Sequence, residues 1–152
     1  MLGIDYYFPI RVKARETAYD KDVFHPEFYY EPWEMPGRKY NADRGWEIYE
    51  EAVVDIGMRI KEDYGNIPWF ISENGIGIEG EDRYRNKEGY IDDDYRIDFL
   101  KGHLQRALKV RNMGSNCFGY FVWSFVDNLS AINAFKNRYG LLELDLKTGN
   151  RI

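Results

Sequence analysis

The stretch PWFISENG, residues 68–75, decides how the rest of the chain is interpreted. Its apolar half shows no polar alternation, which is typical of a strand covered on both faces, and it ends in a carboxylate, an amide and a glycine. Because the chemistry of parallel α/β folds lies at the carboxyl ends of the strands, Glu73 is the first candidate for a catalytic group. Taken alone, the motif fits equally well a Glu73 that merely begins a loop.

Two other apolar runs predict strands, one at residues 2–9 and one at 117–123. Between the three strands, apolar residues at helical spacing predict one helix over 45–64 and a second from about 92 to 112. Residues 10–44 have neither helical nor alternating periodicity. We therefore expect them to form a long loop, which in a compact domain is usually functional or disordered.

The loop lengths in this pattern are asymmetric, because long segments follow the strands and short turns follow the helices. Such asymmetry is typical of a barrel of alternating strands and helices whose site is built from the loops after the strands. A closed barrel needs roughly 250 residues, whereas this chain has 152. We therefore predict an α/β fold in a single partial domain, residues 1–152, with open sheet edges and uncovered apolar helix faces.

The predicted second helix contains two features that resemble metal ligands. The aspartates at 92–94 are predicted to form its first turn, where carboxylates cap free N–H groups, and a metal site is the less favoured alternative because consecutive helical side chains point in different directions. His103 is interpreted as a partly buried helix histidine rather than a ligand. The stripe expected to face the core consists of Ile97, Leu100, Leu104, Ala107, Leu108 and Arg111.

Composition narrows the classes of partner and compartment. The net charge of −5 and the lack of a lysine or arginine block argue against nucleic acids and anionic membranes as partners, and no apolar segment approaches the roughly 20 residues of a membrane span. The single cysteine, Cys117, and the lack of a recognisable secretion signal favour a reduced, cytoplasmic protein without a metal or cofactor. Aromatic residues make up 17% of the chain, and such side chains often line sites for the flat apolar faces of sugars.

Four segments of the chain resemble one enzyme family in the right order. ISENG at 71–75 resembles the nucleophile motif of glycoside hydrolase family 1, I/L-T/S-E-N-G. LGIDYY at 2–7 is similar to the family's strand six, GYFVWSFVDN at 119–128 to the end of strand eight, and NRYGL at 137–141 to the segment after it. The resemblance implies that the chain is the C-terminal part, about strands six to eight with their helices, of a (β/α)8 TIM barrel of the β-glucosidase and 6-phospho-β-glycosidase family.

The resemblance also implies a retaining mechanism, in which Glu73 attacks the anomeric carbon and a second carboxylic acid protonates the leaving oxygen. The two carboxyl groups of retaining enzymes lie about 5 to 5.5 Å apart. In the family that acid belongs to a T-F/L-N-E-P motif on strand four, and this sequence has no N-E-P. We therefore expect the chain by itself to be inactive.

Three further residues match the family near the nucleophile. Tyr7 matches a tyrosine that hydrogen-bonds the nucleophile and supports its ionised form. Asp5 stands where the family usually has an asparagine near the sugar, and a second carboxylate there would disfavour the charged nucleophile. Trp123 matches the tryptophan under the non-reducing sugar, a flat apolar platform with an N–H donor.

The loop after the third strand bears on the substrate class. Ordinary β-glucosidases of the family place Glu-Trp where this chain has Ser130 and Ala131, whereas the phospho-specific branch has a serine there, with a lysine and a tyrosine further on for a 6-phosphate. Tyr139 keeps its spacing from Ser130, but Lys136 lies one position before the usual lysine, where Asn137 stands. Because lysine is long and flexible, we still favour a 6-phospho-β-glycoside, held by these residues, over an unphosphorylated sugar.

Several alternatives stay open at this point. The sequence does not separate glucosides from galactosides, and it does not define the aglycone. A non-catalytic carbohydrate-binding or interaction module using Trp123 and the Tyr-rich loop is the rival function. The uncovered edges are expected to be filled by the missing N-terminal part of the barrel or by self-association.

Overall fold

The computed structural model describes residues 1–17 and 24–151 of the chain. The helices are α1 (Ala52–Asp63) and α2 (Asp94–Asn112), and two 3-10 turns lie at Pro26–Phe28 and Glu81–Tyr84. The strands are β1 (Leu2–Asp5), β2 (Val12–Ala14), β3 (Tyr30–Pro32), β4 (Lys39–Asn41), β5 (Trp46–Ile48), β6 (Trp69–Asn74), β7 (Ile78–Glu79), β8 (Cys117–Val122) and β9 (Asn137–Arg138).

The main sheet consists of three parallel strands in the order β1, β6, β8, which confirms the three predicted strands. β6 lies in the middle and pairs with β1 from Leu2–Trp69 to Asp5–Glu73. On its other side it pairs with β8 from Trp69–Cys117 to Asn74–Val122. Because all three strands run the same way, their carboxyl ends, and with them Glu73, meet at one edge.

The core lies between this sheet and the two helices. Trp69 and Ile71 on β6 are fully buried against Val53 of α1 and Val110 of α2. The indole N–H of Trp69 donates to Ser115 Oγ at 2.9 Å, and that hydroxyl donates to the carbonyl of Gly57 at 2.7 Å. The polar atom of the largest buried side chain is thus satisfied, as burial requires.

The first helix is shorter than predicted, because it begins at Ala52 rather than at residue 45. Residues Trp46–Ile48 instead form β5, which pairs antiparallel with β4. The buried Glu47 of β5 accepts from Arg11 at 2.6, 2.7 and 3.0 Å, a tertiary ion pair that helical periodicity does not reveal. The prediction of a featureless loop over 10–44 was likewise wrong where the structure describes it, because β2 and β3 form a two-stranded sheet. Part of that predicted loop, residues 18–23, lies outside the described residues.

The second helix is confirmed, but the face that it buries was predicted wrongly. Its buried residues are Arg96, Phe99, His103, Ala107 and Val110. Ile97, Leu104 and Leu108 from the expected stripe are 58%, 40% and 59% exposed. The aspartates do not cap the helix through their side chains, because the carboxylate of Asp93, the N-cap residue, binds the guanidinium of Arg96.

Apolar surface stays uncovered on the sheet as well as on α2. Phe118 and Phe121 of the edge strand β8 are 51% and 59% exposed. These side chains and the open edges of β1 and β8 agree with the expected incomplete barrel. Across the described part of the chain, no helix has both the length and the apolar composition needed to cross a membrane.

Candidate active site

Glu73 lies at the carboxyl end of β6 and is partly exposed. The Tyr7 hydroxyl donates a hydrogen bond of 2.9 Å to its Oε2 atom. Burial, and next the hydrogen bond to Glu73, raise the pKa of the Tyr7 phenol well above its ordinary value. Tyr7 therefore stays protonated at neutral pH and can only donate to this carboxylate. The geometry is that of a carboxylate held in one orientation while its other oxygen stays available.

Asn74, the residue after Glu73, ties the end of β6 to both neighbouring strands. Its side-chain amide is buried, donates to the carbonyl of Tyr6 and accepts from the hydroxyl of Tyr120. Its own carbonyl accepts from the Trp123 N–H at 2.8 Å. In the sequence, its place beside Glu73 in the motif is the signal that could have marked this residue. Because these hydrogen bonds reach Tyr6 on one side and Tyr120 and Trp123 on the other, the end of β6 is held on both sides.

Gly75 allows the chain to pass directly against Trp123. A Cβ atom at this position would lie 1.8 Å from the Trp123 carbonyl oxygen, closer than any side chain allows. The peptide bond from Trp123 to Ser124 is cis. The residue proposed as a sugar platform therefore lies at the neighbouring strand end, next to the candidate nucleophile.

Asp5 is the direct register partner of Glu73 on β1. Its carboxylate accepts a hydrogen bond of 2.7 Å from the Ser72 hydroxyl. Two carboxylates thus end neighbouring strands, but each has its own donor, Tyr7 for Glu73 and Ser72 for Asp5. The donors offset the repulsion that two adjacent carboxylates would otherwise create.

An aromatic cluster borders Tyr7. Its ring centroid lies 5.9 Å from that of Trp46 and 6.3 Å from that of Tyr139, and Phe8 stacks on Trp46 at 4.5 Å. Sequence reasoning assigned Trp46 to a helix and missed it as a site residue. The Gly45–Trp46 pair at the end of a Tyr-rich segment was the signal that could have found it, because Gly45 has a φ of 71° and ends a hairpin turn.

The loop after β8 carries Ser130 and Tyr139. The buried carboxylate of Asp127 organises it, accepting from the backbone N–H groups of Gly140 and Leu144 at 2.9 and 3.2 Å and from Arg138 at 2.7 Å. Tyr139 is buried against Gly77, Gly75 and Tyr7, so its ring borders the tyrosine that donates to Glu73. Ser130 is partly exposed and pairs through its backbone with Ala134 in a tight turn.

Lys136 and Asn137 occupy different surroundings from those expected of phosphate ligands. Lys136 Nζ lies 3.3 Å from Glu79 Oε2 and is largely exposed. Asn137 is buried, and its carboxamide contacts Arg44, Asn133 and the carbonyl of Asp43. Among the contacts of the described residues, none joins Lys136 to Ser130 or Tyr139. Their role at a phosphate stays a prediction.

Comparison with known proteins now defines the family. The model of Glycosyl hydrolase family 1 matches residues 1–152. This chain belongs to that family. It is 53% identical over 153 residues to a 6-phospho-beta-glucosidase from Bacillus subtilis, covering 99% of this chain and 33% of the relative. It is also 43% identical over 111 residues to a 6-phospho-beta-galactosidase from Clostridium acetobutylicum, covering 72% of this chain and 23% of the relative.

Solved structures give the same family and the fold. A family 1 β-glucosidase from Thermotoga maritima matches with a TM-score of 0.81 at 31% identity, over 99% of this chain and 31% of that one. The family 1 chain described here is thus an α/β segment of a TIM barrel, as predicted, and it spans about a third of the length of the relatives that it matches.

The family 1 segment supplies one candidate for the carboxylate pair of a retaining site. Glu73 has the strand-end position and the tyrosine donor. The printed sequence contains no N-E-P motif for the second member. Within residues 1–17 and 24–151, no group of three or more histidine, cysteine, aspartate or glutamate side chains is arranged to hold a metal ion.

Proposed function

We propose that the full-length polypeptide containing this segment is a retaining β-glycosidase with Glu73 as its nucleophile. The single observation that carries the proposal is the 2.9 Å hydrogen bond from Tyr7 to Glu73 at the carboxyl end of a buried parallel strand. One carboxylate oxygen is fixed by that donor, and the other is left to attack the anomeric carbon. A carbohydrate-binding module would need no such carboxylate, so we rank that function lower.

The reaction proceeds in two balanced steps. In the first, Glu73 forms a bond to the anomeric carbon while the glycosidic C–O bond breaks, and a second carboxylic acid outside this chain protonates the leaving oxygen. In the second, water attacks the anomeric carbon and the ester to Glu73 breaks, the same second group taking the proton. Tyr7 donates to the Glu73 carboxylate that is consumed in the first step and restored in the second.

The proposed substrate is a 6-phospho-β-glucoside or 6-phospho-β-galactoside. Ser130 supports this choice because a hydroxyl can donate to a phosphate, whereas a glutamate there would repel it. The relatives from Bacillus subtilis and Clostridium acetobutylicum are named as a 6-phospho-beta-glucosidase and a 6-phospho-beta-galactosidase. A Beta-glucosidase A from Enterobacter agglomerans is 33% identical, so the unphosphorylated sugar is the alternative.

In the proposed complex, the sugar lies between Trp123 and Asp5 beside Glu73, and Ser130 and Tyr139 receive the 6-phosphate. Lys136 and Asn137 are the remaining candidates for that group from the sequence. We further propose that the enzyme acts in the cytoplasm, in line with the buried, free thiol of Cys117.

The test uses the full-length polypeptide and 4-nitrophenyl β-glucoside with and without a 6-phosphate. We expect the larger kcat/KM with the phosphorylated substrate and a product that keeps its anomeric configuration. A 2-deoxy-2-fluoro glycoside should leave a stable ester on the peptide that contains Glu73, and Glu73→Gln is the matched variant that cannot form it. Inversion of configuration would contradict the mechanism, and preference for the unphosphorylated substrate would contradict the substrate class.

The 152-residue chain alone is expected to be inactive on both substrates, because the group that protonates the leaving oxygen is not in the sequence. The same assay checks this. Turnover by the isolated chain at an enzyme-like rate would show that another carboxyl group of the segment, with Asp5 the first to examine, performs that step.

A further inference from the structure

Arg44 lies in the turn between β4 and β5, in the long segment after β1. Its guanidinium covers the face of Trp46 at 4.1 Å from the ring centroid. Its Nη1 atom donates to Asn137 Oδ1 at 3.3 Å. Trp46 packs against Tyr7, the donor to Glu73, so this cation lies two side chains away from the candidate nucleophile.

The charge of the same guanidinium also acts on Tyr139. Burial raises the pKa of Tyr139, and Arg44 opposes that rise. The Nε–H of Arg44 is buried without a hydrogen-bond partner in the described part of the chain. An unpaired buried N–H costs free energy comparable to a lost hydrogen bond, and a phosphate oxygen that reached this atom would remove that cost.

No carboxylate neutralises Arg44 in the described contacts. The adjacent Asp43 pairs instead with Arg83 at 2.6 Å. Lys136, the cation assigned to a phosphate from the sequence, is engaged by Glu79. Asn137, at the position of the family's usual lysine, carries no charge but contacts Arg44 directly. The loop after β8 thus lacks a lysine at position 137, but the positive charge of Arg44, from the segment after β1, lies in contact with that position.

We propose that Arg44 is a specificity-determining residue that replaces this lysine and binds the 6-phosphate of the substrate together with Ser130 and Tyr139. The inference rests on the proposed function. A guanidinium presents a planar fork of N–H donors that matches phosphate oxygens, and stacking on Trp46 pre-orients the fork. Asn137 then acts as a positioning residue, because its Oδ1 accepts from Arg44 and its amide is fixed by the carbonyl of Asp43.

The experiment measures one ratio on the full-length polypeptide, kcat/KM for 4-nitrophenyl β-glucoside 6-phosphate divided by kcat/KM for 4-nitrophenyl β-glucoside. Loss of a charge-assisted bond to phosphate in Arg44→Gln should lower the ratio about 10- to 100-fold. Arg83→Gln, the matched charge change on a neighbouring cation, should keep it within about two-fold because solvent screens the more exposed charge. In Arg44→Gln with Asn137→Lys, the restored lysine should recover most of the ratio.

Misfolding would lower both rates together, so the ratio isolates phosphate recognition. Where Arg44→Gln does not accumulate as folded protein, Arg44→Lys keeps the charge, loses the fork and should still lower the ratio, by a smaller factor. If the wild type shows no preference for the phosphorylated substrate, the proposed function fails and this inference with it. Two other results are informative when the wild type prefers the phosphorylated substrate: Arg44→Gln leaves the ratio unchanged, or Lys136→Gln abolishes the preference. Either result would contradict the role of Arg44 without contradicting the proposed function.

Discussion

Among the residues that the structure describes, Tyr7 is the donor to the carboxylate of Glu73, and its own neighbours hold it in place. Trp46 and Tyr139 pack on two sides of the Tyr7 ring, so the hydroxyl has little freedom to turn away. A hydrogen bond from a neutral donor to a charged group contributes roughly 1.5–3 kcal/mol. Where the attacking oxygen must be aligned with an anomeric carbon, we expect most of that contribution to appear in the rate.

Replacing Tyr7 with phenylalanine tests this role. In the full-length polypeptide, Tyr7→Phe should lower kcat by about 10- to 100-fold, because the ring packing stays and only the bond to Glu73 is lost. The matched control is Tyr64→Phe, which removes a hydroxyl from an exposed tyrosine at the end of α1. Equal kcat values for the two variants in steady-state assays would show that Tyr7 serves packing alone.

At the level of single residues, the motifs predicted the contact between Tyr7 and Glu73 but not the residues that packing brings beside them. Glu73 and Tyr7 stand in recognisable segments, and the structure joins them directly. Arg44 and Trp46 lie close to Tyr7 because β4 and β5 form a hairpin. No local sequence pattern predicts that hairpin. Asn137 could be found by spacing, but its burial and its contact with Arg44 could not.

Among the elements, the sequence predicted the positions of the three main strands but not the start of α1 or the buried face of α2. Apolar runs located the three parallel strands, although only β6 is largely buried in this segment and β1 and β8 have exposed positions. The start of α1 was misplaced because Glu47 is buried through its ion pair with Arg11, so an acidic residue behaves as an inward-facing strand residue. The buried face of α2 was misjudged because Arg96 and His103 are buried polar residues, whereas Leu104 is partly exposed.

The loop after β8 depends on one buried carboxylate. Asp127 lies near the beginning of that loop and binds Arg138 and the backbone of Gly140 and Leu144, so it joins the two ends of the loop that carries Ser130 and Tyr139. Removing one partner of a buried ion pair leaves the other charge buried without compensation, which is usually strongly destabilising.

The variant Asp127→Asn should therefore lower the free energy of unfolding by about 3 kcal/mol, measured by urea denaturation of the full-length polypeptide. It should also raise KM for the phosphorylated substrate, because Ser130 and Tyr139 lie on the loop that loosens. Asp98→Asn, at an exposed position of α2, is the matched control and should change stability by less than about 0.5 kcal/mol. Similar stabilities for both variants would contradict a bracing role for Asp127.

At the scale of the whole chain, the most prominent feature is the apolar surface left uncovered on the sheet and on α2. β1 and β8 leave two open parallel edges, and Phe118, Phe121 and Leu108 expose more than half of their surface. This chain covers 31% of the solved β-glucosidase from Thermotoga maritima, so most of that chain lies outside the matched segment. In water, such edges and faces favour association.

The isolated chain should self-associate, and sedimentation velocity over a range of concentrations should show a growing share of species larger than one 18.1 kDa chain. Changing both Phe118 and Phe121 to glutamine should shift that distribution toward monomer, since apolar area is removed from the exposed β8 edge. Tyr90→Gln, an equally exposed aromatic in a loop, is the control and should leave the distribution unchanged. A compact monomer at every concentration would disprove the prediction.

The close passage of Gly75 under the Trp123 carbonyl has a further mechanical consequence. Because backbone meets backbone there, and the Asn74 carbonyl accepts a hydrogen bond from the Trp123 N–H, the ends of β6 and β8 are joined at two neighbouring points. Ser130, Tyr139 and Arg44 lie on the loops, whereas Glu73 and Trp123 lie at these joined strand ends. Substitutions in the loops can therefore change the contacts to a substrate without altering the backbone contact between the ends of β6 and β8.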